Sequence, residues 1–346
     1  MRKILRKIFD RIFGRYLPCY VIGHEPLIII SYWSDFFVNR EEFRRSLAGR
    51  DHGHYLFQLG WHRETDARVT ELTTELQQAR TLFPDWTFTF LCNSPQEETL
   101  LRDAGLTAIL CHQNAFLDER QYRIIPGAQK KFDAIYIARI TPFKRHELAA
   151  GIKSLRLIGD HFDREKDHFR RIMALLPLAS YRRNCFSRRI YREINAARVG
   201  LCLSAEEGAM FVSAEYLLCG IPVVSTRNLG GRDTLFPEEF VFHAEDTPNS
   251  VAAGVTAMAA RQCDPAAVRN GVLKKMELFR EVFIRLIQEI YDRENVKRDF
   301  RLEWPEVFVH KLGLRRRVSW RLQRRRGLRI MPEKTAAETR HPGMTS

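Results

Sequence analysis

Two glutamates eight positions apart are the residues of this sequence best suited to chemistry. Glu207 stands in a short loop after the apolar run 199–203, and Glu215 lies on the helix-like run that follows. Gly208 permits a backbone approach that a side chain would block, and the first amides of the helix could bind a diphosphate. The loop carboxylate could accept hydrogen bonds from sugar hydroxyls, and the helix carboxylate could hold a ribose diol.

Two glutamates at this spacing are not specific, because about one such pair arises by chance in a chain of this length. The surrounding pattern carries more information. Residues 201–236 read LCLSAEEGAMFVSAEYLLCGIPVVSTRNLGGRDTLF: a strand, a Glu-Gly loop, a helix, a Gly-x-Pro-Val-Val segment and a Gly-Gly turn. This pattern resembles the donor-site signature of retaining glycosyltransferases with the two-domain B fold, the family 4 type. The family's spacing to Glu215 selects Glu207 rather than its neighbour Glu206.

The resemblance implies a role for each residue of this segment. Glu215 would hold the ribose of a nucleotide diphosphate sugar. The sugar itself would be held by Glu207 and by the loop residues Gly208, Ala209, Met210 and Phe211.

An upstream segment extends the resemblance. Residues 135–148, IYIARITPFKRHEL, resemble the first strand and helix of the same family's nucleotide-sugar domain. The match implies that Arg139 and Lys144 clamp the diphosphate and stabilise its developing charge, Arg139 bidentately and Lys144 as a point charge. The alternative is a solvated basic pair at a helix start, which the helix dipole slightly disfavours.

No metal is expected at this site. The acidic metal-binding motif of the other main glycosyltransferase fold is absent, since no two aspartates lie two positions apart. The sequence therefore predicts no metal and no cofactor, with the nucleotide diphosphate sugar as a co-substrate.

The first half of the chain offers candidates for a group near the anomeric carbon, where the family commonly has a histidine. His62, in LGWHRETD, follows an apolar run and is the preferred one, although a lone histidine is more often structural. The other candidates are His24, His52, His54, His112 and Asp35. Arg232 and Asp233 follow the Gly-Gly turn, and they either line a cleft or cap the next segment.

The elements that must position these residues alternate between strand and helix in both halves, which favours parallel sheets with crossover helices. In the first half, strands are predicted at 27–31, 55–59, 86–92 and 108–111, and helices at 64–82 and 95–104. In the second half, strands are predicted at 132–138, 155–158, 199–203 and 222–225, and helices at 144–153, 162–176, 188–197, 211–219, 247–261 and 265–292. The predicted fold is α/β, with two Rossmann-like domains facing a cleft and ligands at the carboxyl ends of the strands.

Four segments follow from this pattern. Residues 1–15 form a basic amphipathic helix, 16–130 a short Rossmann-like acceptor domain, 131–295 the nucleotide-sugar domain, and 296–346 a basic extension with a flexible tail. The resemblance covers about 115–295, and the segment 114–123, NAFLDERQYR, resembles the family's interdomain connection. The acceptor domain lacks the family's Gly-rich first loop.

Basic charge is concentrated at the two ends. The net charge is +14; residues 1–15 carry six basic residues against one acidic residue, and 314–330 carry eight arginines and no acidic residue. The near-neutral body argues against nucleic acid, whose binders spread basic charge over their working face. The N-terminal helix either lies in an anionic membrane interface or packs on its own domain, and the arginine-rich end favours the membrane.

The cellular location is predicted from three sequence features: membrane-span candidates, targeting signals and cysteine spacing. The best candidate span, 17–33, is interrupted by polar residues, the N-terminus has no secretory pattern, and the seven cysteines show no zinc or redox spacing. We therefore expect a cytoplasmic protein, with peripheral contact at the inner face of the cell membrane.

The sequence favours a hexosyltransferase-like enzyme that transfers a sugar to an acceptor hydroxyl. The acceptor would be a glycan or a lipid-linked glycan, in the synthesis of envelope polysaccharide, lipopolysaccharide or glycolipid. Retention of anomeric configuration is implied by the resemblance alone. Two alternatives stay open: a protein that binds anionic polymer or nucleic acid through the arginine-rich end with Trp320, and a catalytically inactive transferase-like scaffold.

Overall fold

Two β-sheets organise the chain, which we describe from a computed structural model covering residues 16–183, 189–313 and 318–319. The strands in chain order are β1 (Tyr16–Leu17), β2 (Tyr20–His24), β3 (Leu27–Tyr32), β4 (Gly53–Gln58), β5 (Trp86–Cys92), β6 (Ala108–Leu110), β7 (Phe132–Ile137), β8 (Leu155–Gly159), β9 (Ser180–Arg183), β10 (Ala197–Cys202), β11 (Val223–Thr226), β12 (Val241–Ala244) and β13 (Val318–Ser319). The α-helices are α1 (Trp33–Val38), α2 (Arg40–Ser46), α3 (Asp66–Leu82), α4 (Pro95–Asp103), α5 (Lys166–Leu175), α6 (Ile190–Asn195), α7 (Phe211–Leu218), α8 (Pro248–Ala260), α9 (Pro265–Arg293) and α10 (Phe300–Val307).

The sheets have the topology that alternating strands and helices predict. The first has the order β2-β3-β4-β5-β6, with β2 antiparallel to β3 and the other neighbours parallel. The second has the order β12-β11-β10-β7-β8-β9, and all of its neighbours are parallel. This confirms the predicted α/β class with two Rossmann-like units. β1 pairs antiparallel with β13 in a separate two-stranded sheet.

Helices cover both faces of the strands, which explains why the strands read as continuous apolar runs. Every residue of β4 is buried. An aromatic cluster fills one face of the first sheet, where the Trp33 and Phe57 rings meet edge to face at 4.8 Å. Aromatic packing of this kind adds to the gain from area burial, and it fixes α1 against the carboxyl end of β3.

The predicted helix over 144–153 is wrong. The chain forms two short 3₁₀ turns there, Pro142–Lys144 and His146–Ala149, because Arg145 between them has a left-handed backbone with φ of 50°. The Arg145 side chain holds this turn in place: its guanidinium donates to the Leu203 carbonyl at 2.7 Å and pairs with Asp246 at 2.8 Å. The turn delivers Lys144 to the end of the second sheet.

The long helix α9 connects the two halves. Its first part buries Val268 and Val272 in the core of the second sheet, and its last part buries Phe283 and Ile287 against the first sheet. Residues 296–313, which the sequence assigned to an extension, continue on the first sheet: Phe300 is fully buried there.

Several predictions concern residues beyond the described part of the chain. The basic helix over 1–15, the arginine-rich segment 314–330 apart from the β13 backbone, and the tail to residue 346 all lie outside the described residues. The exact limits of the four segments and the short acceptor domain therefore stay predictions. Among the described helices, none combines the length and the apolar character that crossing a bilayer requires. Of the described cysteines, five are buried and Cys263 is half-buried, all as free thiols.

Candidate active site

A cavity of about 920 Å³ opens at the carboxyl edge of the second sheet. The loops that follow β7, β8 and β10 form its floor. Its wall is completed by Trp61 of the first half and by Val309, His310, Lys311 and Gly313. Ligands of open parallel sheets bind at this edge. Six of the predicted site residues line this cavity: Arg139, Lys144, Glu207, Met210, Phe211 and Glu215.

The two basic residues occupy different environments. Arg139 is exposed and its guanidinium stacks over the Phe162 ring, 4.2 Å from the centroid. Lys144 is largely buried, and its ammonium contacts the Glu207 carboxylate directly. Burial and the neighbouring Arg232 lower the pKa of Lys144, whereas the contacting carboxylate favours its charged form. The cavity thus presents two cations to an anion: Arg139, which is exposed and stacked on the Phe162 ring, and Lys144, which is largely buried in the wall.

Glu207 is held from three sides. Its Oε1 receives the Lys144 contact and a hydrogen bond from Ser204 Oγ at 2.6 Å. Its backbone N–H donates to the Leu229 carbonyl at 3.0 Å, which ties the loop to the Gly-Gly turn. A carboxylate with fixed partners is preorganised to accept from a ligand hydroxyl without a further entropy cost.

The loop after Glu207 presents the start of α7 to the cavity. Met210, the residue before the helix, has a left-handed backbone with φ of 44°, and its side chain does not cap the helix. The Asn114 side-chain amide donates to the Ala209 carbonyl at 2.7 Å and to the Met210 carbonyl at 3.2 Å. At Gly208, a Cβ would lie 3.0 Å from the Gly60 carbonyl oxygen. Ala209 and Gly208 therefore shape the loop but do not line the cavity.

Glu215 lies one turn into α7 and faces the same cavity. The Tyr122 hydroxyl donates to its Oε1 at 2.8 Å, and the Lys311 ammonium lies 4.0 Å from the same oxygen. Both partners were missed by the sequence analysis. Tyr122 falls within the segment that resembles the interdomain connection, which was a usable signal. Lys311 carries no motif.

His62 does not line the cavity, contrary to the expectation that it faces the cleft. Its ring is buried, and Nε2 lies 3.1 Å from Glu206 Oε2 in the second half. Burial lowers the pKa of His62, partly offset by the Glu206 carboxylate. Arg68 pairs with the same carboxylate at 3.2 Å. The neighbouring Trp61, which the sequence analysis did not select, reaches the cavity instead.

Three of the alternative histidines are also engaged elsewhere. His54 Nε2 lies 2.9 Å from Glu294, and His52 lies 3.6 Å from the other oxygen of the same carboxylate. His112 is fully buried, with Nε2 2.9 Å from the Gly231 carbonyl. His24 is at the end of β2, and it lines neither this cavity nor the second one described below.

The residues after the Gly-Gly turn act on the protein itself. Arg232 is fully buried; its guanidinium donates to the Ser204 carbonyl at 2.9 Å and to Ser225 Oγ at 2.8 Å, and pairs with Asp233 at 2.7 Å. It therefore joins the ends of β10 and β11. Arg232 therefore does not line the cleft, and it does not cap the next segment either, since its partners are Asp233 and the preceding strand ends.

A second cavity of about 500 Å³ adjoins the first on the side of the first sheet. Four residues line both cavities: Trp61, Glu207, Met210 and Phe211. Asp35, Arg63 and Gln113 face only the second one. Gln113 is buried, and its Oε1 has no hydrogen-bond partner among the residues that the structure describes. Polar atoms of this kind are suited to a polar ligand.

Within residues 16–183 and 189–313, no group of three histidine, cysteine or acidic side chains is arranged to hold a metal ion. The expectation of a metal-free site remains a prediction.

Comparison with known proteins gives structural neighbours only, since no protein-family model and no curated protein matches the sequence. A glycosyltransferase from Rickettsia africae matches with a TM-score of 0.52 at 13% identity, over 86% of this chain and 81% of its own. Sucrose-phosphate synthase from Thermosynechococcus elongatus matches with 0.54 at 16%, over 75% and 79%. A mutant of S. aureus TarM in complex with fondaparinux, α-GlcNAc-glycerol and UDP matches with 0.55 at 13%, over 75% of this chain and 55% of its own.

At sequence identities this low, the matches are evidence for a shared fold only. The shared architecture is the pair of parallel sheets described above, with the large cavity at the carboxyl edge of the second. On this basis the chain has the glycosyltransferase B fold.

Proposed function

We propose that this protein transfers a sugar from a nucleotide diphosphate sugar to an acceptor hydroxyl, with retention of anomeric configuration. One observation carries the proposal: Arg139, Lys144, Glu207 and Glu215 line a single cavity at the carboxyl edge of a parallel sheet. Cations for a diphosphate and carboxylates for hydroxyl groups are the two kinds of partner that such a donor requires.

Each part of the donor has a partner in this proposal. Arg139 and Lys144 bind the diphosphate, together with the first amides of α7. Glu215 accepts from the ribose hydroxyls, and Glu207 with Met210 and Phe211 holds the sugar. UDP is bound by the TarM neighbour, and it is the first nucleotide to test here.

The proposed reaction forms one bond and breaks one. The acceptor oxygen bonds to the anomeric carbon while the bond from that carbon to the diphosphate oxygen breaks, and its electron pair leaves with the diphosphate. Arg139 and Lys144 stabilise the added negative charge. The acceptor proton passes to the departing phosphate oxygen on the same face, so the protein supplies no nucleophile.

The second cavity is the proposed acceptor side. It meets the donor cavity at Glu207, where the anomeric carbon would lie, and Trp61 spans the junction. Asp35, Arg63 and Gln113 supply an anion, a cation and an amide for the hydroxyl groups of a glycan or lipid-linked glycan. His62 is not placed near the reacting carbon in this proposal.

The proposed setting is envelope polysaccharide, lipopolysaccharide or glycolipid synthesis at the cytoplasmic face of the membrane. The support for membrane contact is the basic charge of residues 1–15 and 314–330 in the sequence. The binding of anionic polymer or nucleic acid would rest on the same arginine-rich end. The donor cavity favours the transferase over that alternative and over an inactive scaffold.

Calorimetry with UDP-, GDP- and ADP-sugars tests the donor site. We expect one donor to bind, and Lys144→Ala and Glu215→Gln each to weaken it about tenfold or more, as expected for hydrogen bonds to charged groups. Lys153→Ala and Glu239→Gln are matched controls, since both residues are exposed and lie outside the cavity. Binding of no donor by the wild type, or equal losses in the controls, would contradict the proposal.

A further inference from the structure

Lys311 is a buried basic residue on an unusual turn. Its side chain is only 3% exposed. Three consecutive residues have left-handed backbones here: Lys311 with φ of 57°, Leu312 with 46° and Gly313 with 71°. This conformation is unfavourable for non-glycine residues, and such strain tends to occur where a site requires it.

The surrounding contacts fix this turn between the two halves. Leu312 is fully buried in the cluster shared by the first sheet and α9. On the preceding side, the Asp118 backbone N–H donates to His310 Nδ1 at 3.0 Å. The packing of Leu312 and the hydrogen bond from Asp118 therefore compensate for the backbone strain. The turn that they hold places Lys311 at the wall of the donor cavity.

The Lys311 ammonium meets α7 at two points. It lies 3.5 Å from the centroid of the Phe211 ring and 4.0 Å from Glu215 Oε1. The Tyr122 hydroxyl donates to that same oxygen at 2.8 Å. A cation and a hydroxyl from two different segments thus converge on one oxygen of a buried carboxylate, and none of the described residues donates a hydrogen bond to the other oxygen, Oε2.

We propose that Lys311 is a positioning residue of the donor site, which holds the Glu215 carboxylate so that Oε2 accepts from the ribose hydroxyls. This inference rests on the proposed function. An anionic carboxylate is the stronger acceptor for a diol, but its charge is costly to bury without a compensating partner. Lys311 supplies the compensating charge, and Tyr122 fixes the rotation of the carboxylate.

With Lys311 included, the donor site extends beyond the second sheet. The sequence placed the donor site within residues 131–295, whereas Lys311 comes from the segment that follows α10. Nucleotide binding then depends on the return of this segment to the cleft, and not on the second sheet alone.

The test compares ribose with deoxyribose nucleotides. Calorimetry would measure the Kd values of UDP, ADP, GDP and CDP and of their 2′-deoxy forms on the full chain. The wild type should prefer the ribose form about tenfold or more, as a hydrogen bond to a charged group implies. Lys311→Met should reduce this preference to about threefold or less, Tyr122→Phe should reduce it partly, and Glu215→Gln should nearly abolish it.

The controls separate this role from a structural one. Lys311→Arg keeps the cation and should keep most of the preference, while Lys153→Met should change nothing. If Lys311→Met does not fold, Lys311→Gln measures the same preference with a polar side chain. An equal loss of both nucleotide forms in the Lys311 variant would mean that Lys311 binds the diphosphate, and an unchanged preference would mean a packing role only; either result overturns the inference. Failure of all the nucleotides to bind the wild type would overturn the proposed function as well.

Discussion

His62 in the first half meets Glu206 in the second half, with 3.1 Å between Nε2 and Oε2. Glu206 directly precedes Glu207, which lines both cavities. The contact therefore joins the first sheet to the loop that carries a proposed sugar-binding carboxylate. A second contact reinforces it, since the Gly230 backbone N–H donates to Glu64 Oε2 at 3.0 Å.

This contact predicts that His62 acts through Glu206. Because the ring does not reach the cavity, His62→Gln and Glu206→Gln should each slow sugar transfer by about tenfold or less, and the double variant should be little worse than the more impaired single variant. Steady-state kinetics of the four proteins would measure this. A rate loss of about a thousandfold in His62→Gln, with Glu206→Gln near the wild type, would instead identify His62 as a general acid or base.

Acid should destabilise the protein through His112. Burial lowers its pKa to about 4, and both ring nitrogens are engaged: Nε2 donates to the Gly231 carbonyl and Nδ1 accepts from the Asn114 N–H. Between about pH 6.5 and pH 4, the His112 ring is protonated in the unfolded chain and neutral in the folded chain. The free energy of unfolding therefore falls as the pH falls, by about 3 kcal/mol from this residue at pH 4.

Denaturant unfolding between pH 7 and pH 4 measures that loss. His112→Gln should lower the free energy of unfolding at pH 7. It should also reduce the slope of that free energy against pH by the equivalent of about one bound proton. His243→Gln, at an exposed position, is the control and should leave the slope as it is. A slope that His112→Gln does not change would show that His112 is not the residue responsible.

The stack of Arg139 on Phe162 predicts a graded effect on nucleotide affinity. Arg139→Ala should weaken nucleoside diphosphate binding about tenfold or more, because it removes a charge-assisted contact. Phe162→Ala should weaken it only a few-fold, since it removes the 4.2 Å platform and keeps the charge. Calorimetry at two salt concentrations would check both; a smaller loss in Arg139→Ala than in Phe162→Ala would place the diphosphate elsewhere.

The sequence predicts the regular parts of this fold well, because their signals are local. The strand at 86–92 coincides with β5, and the helix at 211–219 ends one residue beyond α7. The short polar strand β9, of sequence SYRR, has no apolar run to reveal it. The helix predicted over 144–153 failed because the left-handed turn at Arg145 depends on Leu203 and Asp246.

The site shows the same division between local and long-range information. Glu207 and Glu215 are joined by a loop and one helix, so their spacing could reveal that they share a cavity. The burial of His62 depends on Glu206, 144 positions away. Lys311 reaches Glu215 only because the chain returns across the cleft after α9 and α10. No local pattern encodes either contact.

Gly230 offers the sharpest test of how the two halves hold the Glu207 loop. It has φ of +111°, and a Cβ there would lie 1.8 Å from the Glu207 carbonyl oxygen and 2.8 Å from His62 Cβ. Gly49 also has a positive φ, of +80°, but a Cβ there meets nothing within 4 Å. Alanine at Gly230 therefore meets both a clash and a backbone conformation, with ψ of −178°, that is essentially restricted to glycine, whereas alanine at Gly49 meets a positive φ without a clash.

Gly49→Ala should lower the free energy of unfolding by about 1 kcal/mol, since only the left-handed backbone is penalised. Gly230→Ala should cost more, about 3 kcal/mol, because the backbone of the Glu207 loop must also move. It should abolish sugar transfer even where the protein stays folded, since the displaced loop carries Glu207 away from Lys144. Thermal unfolding and donor turnover of the two variants would decide; equal stability losses with turnover intact in Gly230→Ala would mean that the turn does not position Glu207.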